Sequence, residues 1–254
     1  MNITKLVLNA LPRPTLIKIS LWIRPIVAFL LKGNRFTDPI DGKDFRCFLP
    51  YGYQKIRYNV LSPSTLSLER HRLMWLFLKE KTDFFTSPKK VLHIAPEQCF
   101  IKLFKTQPNL DYLTADLYSP LADVKADILA LPFDDNSFDV VICNHVLEHI
   151  VDDKKAMSEL FRVMKKGGFG IFQVPQDLSR DKTYEDFSIT YPKEKARHFG
   201  QYDHVRIYGQ DYFNRLEKVG FTVKPTNMSK ELPKTLVNRY RLSVNELIPF
   251  CKKL

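Results

Sequence analysis

The sequence predicts an α/β fold: a doubly wound, mostly parallel sheet of seven strands with a small appendage ahead of it. Three observations carry this expectation. Short apolar runs recur from Lys90 onward, at KVLHIA, DYLTAD (Asp111 to Asp116), Val124 to Ile128, FDVVIC (Phe138 to Cys143) and FGIFQV (Phe169 to Val174), and such runs read as strands buried on both faces. Stretches with helical spacing separate them, at Gln98 to Lys105 and at Asp152 to Met164, which makes the repeating unit strand, helix, strand. Two further runs, Gly220 to Val223 and Leu247 to Cys251, supply a hairpin-like edge.

Each element has local reasons. The helix over Asp152 to Met164 opens on acids and is followed by Lys165-Lys166-Gly167-Gly168, the charges and glycine expected where a helix ends. Pro175 stops the run before it. Beyond Pro175 the chain turns polar and aromatic through Tyr184, Tyr191, His198, Tyr202 and His204, until Gln210 to Val219 resumes a helical rhythm. In a sheet of this kind ligands bind at the carboxyl ends of the strands. An insertion at that level sits over the site.

Composition narrows the class. The 254 residues are 44% hydrophobic and 13% aromatic, which describes a folded chain rather than a disordered one. Cys47, Cys99, Cys143 and Cys251 form no C-x-x-C pair, so a reducing, cytoplasmic setting is expected. The first apolar stretch is broken by Lys18, Arg24 and Pro25; neither a cleaved leader nor a spanning helix is expected from it. Six of the net +11 charges, Lys5, Arg13, Lys18, Arg24, Lys32 and Arg35, precede the first acid, Asp38. Interleaved with Leu16, Trp22, Ile23, Ile26 and Phe29, they suit a helix lying on an anionic membrane surface, peripheral at the inner membrane. Packing of the same residues against the main domain is the equal alternative. Nucleic acid binding is the weaker third, because basic charge alone is unspecific.

The run ADILALPFDDNSFDVVICNHVLEHIVDDKKAMSELFRVMKKGGFGIFQVP, Ala126 to Pro175, resembles the class I S-adenosylmethionine-dependent methyltransferases, in particular the group related to ubiquinone-biosynthesis methyltransferases. The resemblance covers roughly residues 89 to 221 and implies a Rossmann-like domain that takes S-adenosylmethionine as cofactor. It implies that Asp116, with Leu117 beside it, meets the ribose hydroxyls. A carboxylate about 20 residues past the first-strand loop has independent chemical reason to accept from a vicinal diol. It implies further that Asp127 and Ile128 cover the adenine, and that Asn144 and His145 line the methyl-bearing end. The first loop departs from the family: His93 stands for its acid, and Ala95, Pro96 and Glu97 fill its glycine-rich turn. Proline fixes φ and removes a donor, so this loop has its own shape. Glu97 serves either as the replacement carboxylate or as a first-turn acid favoured by the helix dipole.

A narrower resemblance lies upstream, to bacterial relatives whose small zinc ribbon precedes the text FRxFLPYG and SLERHR. Here the four cysteine positions are Asp38, Asp41, Ser62 and Thr65. Hydroxyls are poor zinc ligands, so no metal is expected. A metal-free hairpin packed by Phe45, Phe48, Tyr51 and Tyr53 is expected instead, followed by a helix from Glu69. The expected division is residues 1-36, 37-87 and 88-254: a basic apolar helical segment, the degenerate ribbon with its linking helix, and the methyltransferase domain.

Methyl transfer needs alignment first and a base only when the acceptor must shed a proton. Catalytic candidates are His145, His204 and Tyr202, the last two within QYDHVR (Gln201 to Arg206); Glu148 and His149 are expected to orient their loop. The expected acceptor is a small molecule, a glycan or a lipid-linked group. The rivals are a non-catalytic relative kept as a binding partner, and an RNA methyltransferase.

Overall fold

The structure, a computed structural model, describes residues 13–52 and 56–254, with side chains from residue 22 onward. Tyr53, Lys5 and the side chains of Arg13, Leu16 and Lys18 lie outside the described residues. The chain forms two compact units, one running to Trp75 and taking in Leu232–Ser243, the other made of Leu76–Glu231 and Val244–Leu254. Residues 232–243 thus return to the first unit.

The first unit opens with helix α1 (Arg13–Leu30), which contains Pro25. Among the described residues no helix is long and apolar enough to cross a membrane. Ala28 of α1 and Leu31 after it pack on a small aromatic core of Phe36, Phe45 and Phe48. Strand β1 (Lys32–Thr37) pairs antiparallel with β2 (Asp44–Phe45), and β3 (Leu49–Tyr51) with β4 (Arg57–Leu61). The expected hairpin is therefore two short pairings. Phe45 and Phe48 are buried in them, whereas Tyr51 is 48% exposed and does not contribute to packing as expected.

Polar groups tie these pairings together. Asp38 is buried and accepts from the Ile40 amide, from Thr65 Oγ1 and, at 3.1 Å, from Ser67 Oγ. Ser62 Oγ lies 3.3 Å from Ser64 Oγ and accepts from the Thr65 amide. Three of the four ribbon positions thus meet in one hydrogen-bonded knot. The fourth, Asp41, instead pairs with Lys43 at 3.1 Å. Beside the knot, helix α2 (Glu69–Lys81) starts with Arg72 fully buried, its guanidinium donating to the carbonyls of Ser67, Val60, Tyr240 and Arg241 at 2.7–3.0 Å. A buried charge is tolerable only when its donors are satisfied this completely.

The second unit is built on β5 (Lys89–Ile94), α3 (Gln98–Lys105), β6 (Leu110–Asp116), β7 (Val124–Lys125), β8 (Phe138–Cys143), α4 (Asp153–Val163) and β9 (Met164–Ile171). There follow β10 (Tyr184–Glu185), α5 (Pro192–Phe199), β11 (Arg206–Ile207), α6 (Tyr212–Val219), β12 (Thr222–Thr226), α7 (Met228–Glu231), α8 (Lys234–Arg239, in the first unit) and β13 (Ile248–Lys252). The seven-stranded sheet has the order β12-β13-β9-β8-β5-β6-β7. Strands β5 to β9 run parallel, and β13 alone opposes its two neighbours, β12 and β9. The doubly wound sheet and its hairpin edge are as expected from the sequence.

Apolar spacing explains the packing. Ala156, Met157, Leu160 and Val163 form one buried stripe on α4, joining Leu92, Val141 and Phe172 in the main core. One element differs from expectation: Lys165 to Gly168 belong to β9, which begins at Met164 directly after the helix and ends at Ile171. Gly168 is required there, since a Cβ would come within 2.7 Å of the Asp139 carbonyl oxygen on the neighbouring strand.

Candidate functional site

The chain turns sharply at the carboxyl ends of β5, β6 and β8. After β5, Ala95 adopts a left-handed conformation with φ 48°, and after β8 His145 does so with φ 55°. For residues carrying a Cβ this costs about 1–2 kcal/mol each. Surrounding bonds hold both in place: Ala95 N donates to Ala115 O at 2.8 Å, and His145 N to Gln173 O at 2.7 Å. Pro96 then leads into α3, whose N-cap residue is Glu97.

The Glu97 side chain does not cap its helix. Its Oε2 lies 2.6 Å from Nε2 of the fully buried His93, and its Oε1 accepts from Asn144 Nδ2 at 3.1 Å. His93 Nδ1 lies 2.8 Å from the Tyr112 hydroxyl. Burial, and after it the charge of Glu97, pushes the Tyr112 phenol well up and keeps it protonated. Asn144 also accepts from Gln173 N at 3.0 Å, so one amide ties together the ends of β8, the segment after β9 and the first loop. His93 and Glu97 are neighbours because they stand four residues apart across the turn.

Asp116 ends β6. Its Oδ1 accepts from the amides of Tyr118 and Ser119 at 2.7 and 2.6 Å, which fixes the carboxylate and leaves Oδ2 without a hydrogen bond among the described residues. Leu117 beside it is half-buried. Asp127 is exposed and accepts from Leu129 N at 2.9 Å, while Ile128 is buried in the core cluster. These groups suit an adenosyl ligand in chemistry: a fixed carboxylate at one strand end, apolar surface nearby, and a first loop whose backbone is already bent. A cavity of about 400 Å³ lies elsewhere, at the opposite strand ends by Lys89, Asp139 and Phe169.

The short 3-10 turn Leu147–His149 follows His145. Glu148 is 1% exposed, and its Oε1 lies 3.2 Å from His145 Nδ1. Burial drives its carboxyl upward, but the hydrogen bond and charge of His145, and then the charge of His149, outweigh this and hold it below the usual range. His149 Nδ1 lies 3.4 Å from Asp203 Oδ2, and the rings of His149 and His204 stand edge to face at 4.7 Å. Burial holds the His204 imidazole below its ordinary value, toward the neutral form. The structure therefore brings His145 and His204 into one cluster with Glu148 and His149. Tyr202, by contrast, is 49% exposed on the preceding turn.

The QYDHVR segment is held here by a residue that sequence reasoning did not single out. Arg206 is buried and donates to Glu185 Oε2 at 2.9 Å, to the carbonyls of Leu147 and Val151 at 3.0 and 2.8 Å, and to that of Ile150. Arg215 adds Glu185 and Asp153, and the Tyr208 hydroxyl donates to Asp153 at 2.9 Å. The signal was present: an arginine inside Val-Arg-Ile-Tyr needs buried acceptors if that run packs.

Residues 82–172 match the family model described as a methyltransferase domain. The cofactor of this class is S-adenosylmethionine. An uncharacterized protein of Methanocaldococcus jannaschii is 41% identical over 76 residues, 29% of this chain and 33% of that one. The ubiquinone/menaquinone biosynthesis C-methyltransferase of Idiomarina loihiensis is 37% identical over 69 residues, 26% of this chain and 28% of its own. The matched stretches thus span about a third or less of these relatives. Among solved structures, an S-adenosylmethionine-dependent methyltransferase of Archaeoglobus fulgidus is 16% identical with a TM-score of 0.48, over 71% of this chain and 93% of its own.

Proposed function

We propose that the whole chain is an S-adenosylmethionine-dependent methyltransferase acting on a small-molecule, glycan or lipid-linked acceptor. The observation that carries this reading is the fixed Asp116 carboxylate at the end of β6, inside the matched methyltransferase domain. In this reading Asp116, with Leu117, accepts from the ribose hydroxyls, and Asp127 and Ile128 border the adenine. The bent loop of His93, Ala95, Pro96 and Glu97, with Asn144, holds the methionine portion. When bound, the cofactor supplies an electrophilic methyl group on sulfur.

The chain's own part is alignment and proton handling. Glu148 beside His145 Nδ1 orients that ring and leaves Nε2, which has no hydrogen-bond partner, as the group to take a proton from an acceptor. His204 and Tyr202 border the acceptor side. Names of the relatives make a quinone-type acceptor one member of the small-molecule class.

Calorimetry with S-adenosylmethionine and S-adenosylhomocysteine tests the reading. Binding of both at micromolar concentration, weakened in Asp116→Ala, is expected. Absence of binding at high micromolar concentration supports the non-catalytic rival, and RNA affinity falling steeply with salt supports the RNA rival.

Membrane contact belongs to the same proposal. On α1, Trp22 is 84% and Phe29 78% exposed, and Ile26 and Leu30 extend the same face. Spacing of 22, 26, 29 and 30 is one helical stripe, set among Arg24, Lys32 and Arg35. Co-sedimentation with phosphatidylglycerol vesicles, lost in Trp22→Ala/Phe29→Ala and absent with phosphatidylcholine alone, is the expected result.

A further inference from the structure

The cluster at the turn after β8 contains more ligating chemistry than proton transfer requires. One oxygen of Glu148 and one nitrogen each of His149 and His204 all lie within 4.8 Å of one another. From this geometry we infer a binding site for a divalent first-row transition ion, with Glu148, His149 and His204 as its ligands.

The surroundings of each side chain argue for it. His204 Nδ1 lies 3.2 Å from the Phe199 carbonyl oxygen, an acceptor, so Nδ1 carries the hydrogen and Nε2 keeps its lone pair. His149 Nδ1 faces the Asp203 carboxylate at 3.4 Å, which has the same consequence. Imidazoles that bind metals through one nitrogen commonly give the other N–H to a carbonyl or a carboxylate. Here both second partners are present. Glu148 is 1% exposed, and its Oε1 meets His145 Nδ1 at 3.2 Å. A carboxylate buried this deeply needs compensation, and a bound cation adds to what the neighbouring histidines supply. The three ligands come from two places, a 3-10 turn and the segment before β11, joined by Val205 N donating to Glu148 O at 2.9 Å and by Arg206.

Two imidazoles and one carboxylate suit zinc, iron, cobalt or nickel better than magnesium or calcium. Three protein ligands leave positions open for water or an oxygen of a bound molecule. The sequence-based expectation is a chain without metal, argued from the ribbon positions of the first unit; a site at Glu148, His149 and His204 departs from it. Metal binding itself is independent of the methyl-transfer reading; only the use of the open positions by an acceptor rests on it.

Chelator-treated full-length protein titrated with cobalt(II) tests the site by visible ligand-field absorption and calorimetry. One ion per chain is expected, displaced by zinc(II). His149→Gln and His204→Gln weaken binding by tenfold or more, and Asp203→Asn by about tenfold, whereas S-adenosylhomocysteine affinity of His149→Gln stays as in the parent. Should His204→Gln fail to fold, His149→Gln and the surface variant Asp203→Asn decide. Absence of stoichiometric cobalt binding, or cobalt affinity unchanged in His149→Gln and Asp203→Asn, overturns the inference.

Discussion

Two polar centres in this chain contrast with each other. In the first unit, Asp38, Ser62, Thr65, Ser67 and Arg72 are buried or nearly so, and their donors and acceptors meet in a closed set. In the second, His145 sits on a left-handed turn, and among the described residues His145 Nε2 and Glu148 Oε2 have no hydrogen-bond partner. Satisfied polar groups hold a structure together, while buried groups left short of partners are what a ligand or a reaction can use. On the proposed reading the first centre serves stability and the second chemistry, and the difference can be measured.

The largest effect expected is in the first centre. Arg72→Met leaves the carbonyls of Ser67, Val60, Tyr240 and Arg241 without their donor, and urea denaturation should report a loss of about 3–5 kcal/mol. S-adenosylhomocysteine affinity of the folded fraction should be unchanged; a selective loss of affinity with full stability would erase the contrast. Next, Asp116→Ala removes a charged acceptor, so cofactor affinity should fall about 10- to 100-fold, that is about 1.4–2.8 kcal/mol. Asp38→Asn keeps the shape and removes the charge, and about 1–2 kcal/mol of stability should go with it in the same denaturation assay. By contrast Glu148→Gln should change the unfolding free energy in urea by less than about 1 kcal/mol while methyl-transfer rate falls about 100-fold. The smallest effect sharpens the picture through pH. Burial pushes the Glu185 carboxyl up, but Arg215 and Arg206 outweigh this and hold it below its usual range. Its stabilising contribution is then complete above the unfolded value of about 4.3 and is lost as pH falls through the folded one. Thermal melts of Glu185→Gln should show a flatter acid limb than the parent.

Legibility in the sequence followed the same division. Helix α3 and strand β8 fall where periodicity put them, because an eight-residue amphipathic run and a continuous apolar run each have one way to be buried. Asp116, Asn144 and His145 stand at strand ends for the same reason. Lys165 to Gly168 misled because lysine and glycine are helix-stop signals, whereas here glycine is demanded by the approach of the Asp139 carbonyl within the sheet. Tyr51, expected to pack the hairpin with Phe45 and Phe48, is 48% exposed in its pairing with β4. The Arg206 contacts to Leu147, Ile150 and Val151 and the convergence of Glu148 with His204 join residues more than 50 apart in the chain. No local pattern encodes such pairings, and only the unusual arginine within an apolar run hinted at one.

Between Gly52 and Gly167 the chain has no glycine at all, although the crest of the sheet bends left-handed at Ala95 and again at His145. Side chains at those bends narrow the conformations open to the unfolded polymer and stiffen the rim in the native one. A molecule arriving at such a rim finds its cradle already shaped and gives up little freedom in ordering it. Under the proposed cofactor site, glycine introduced at position 95 would relax the bend and slacken the cradle.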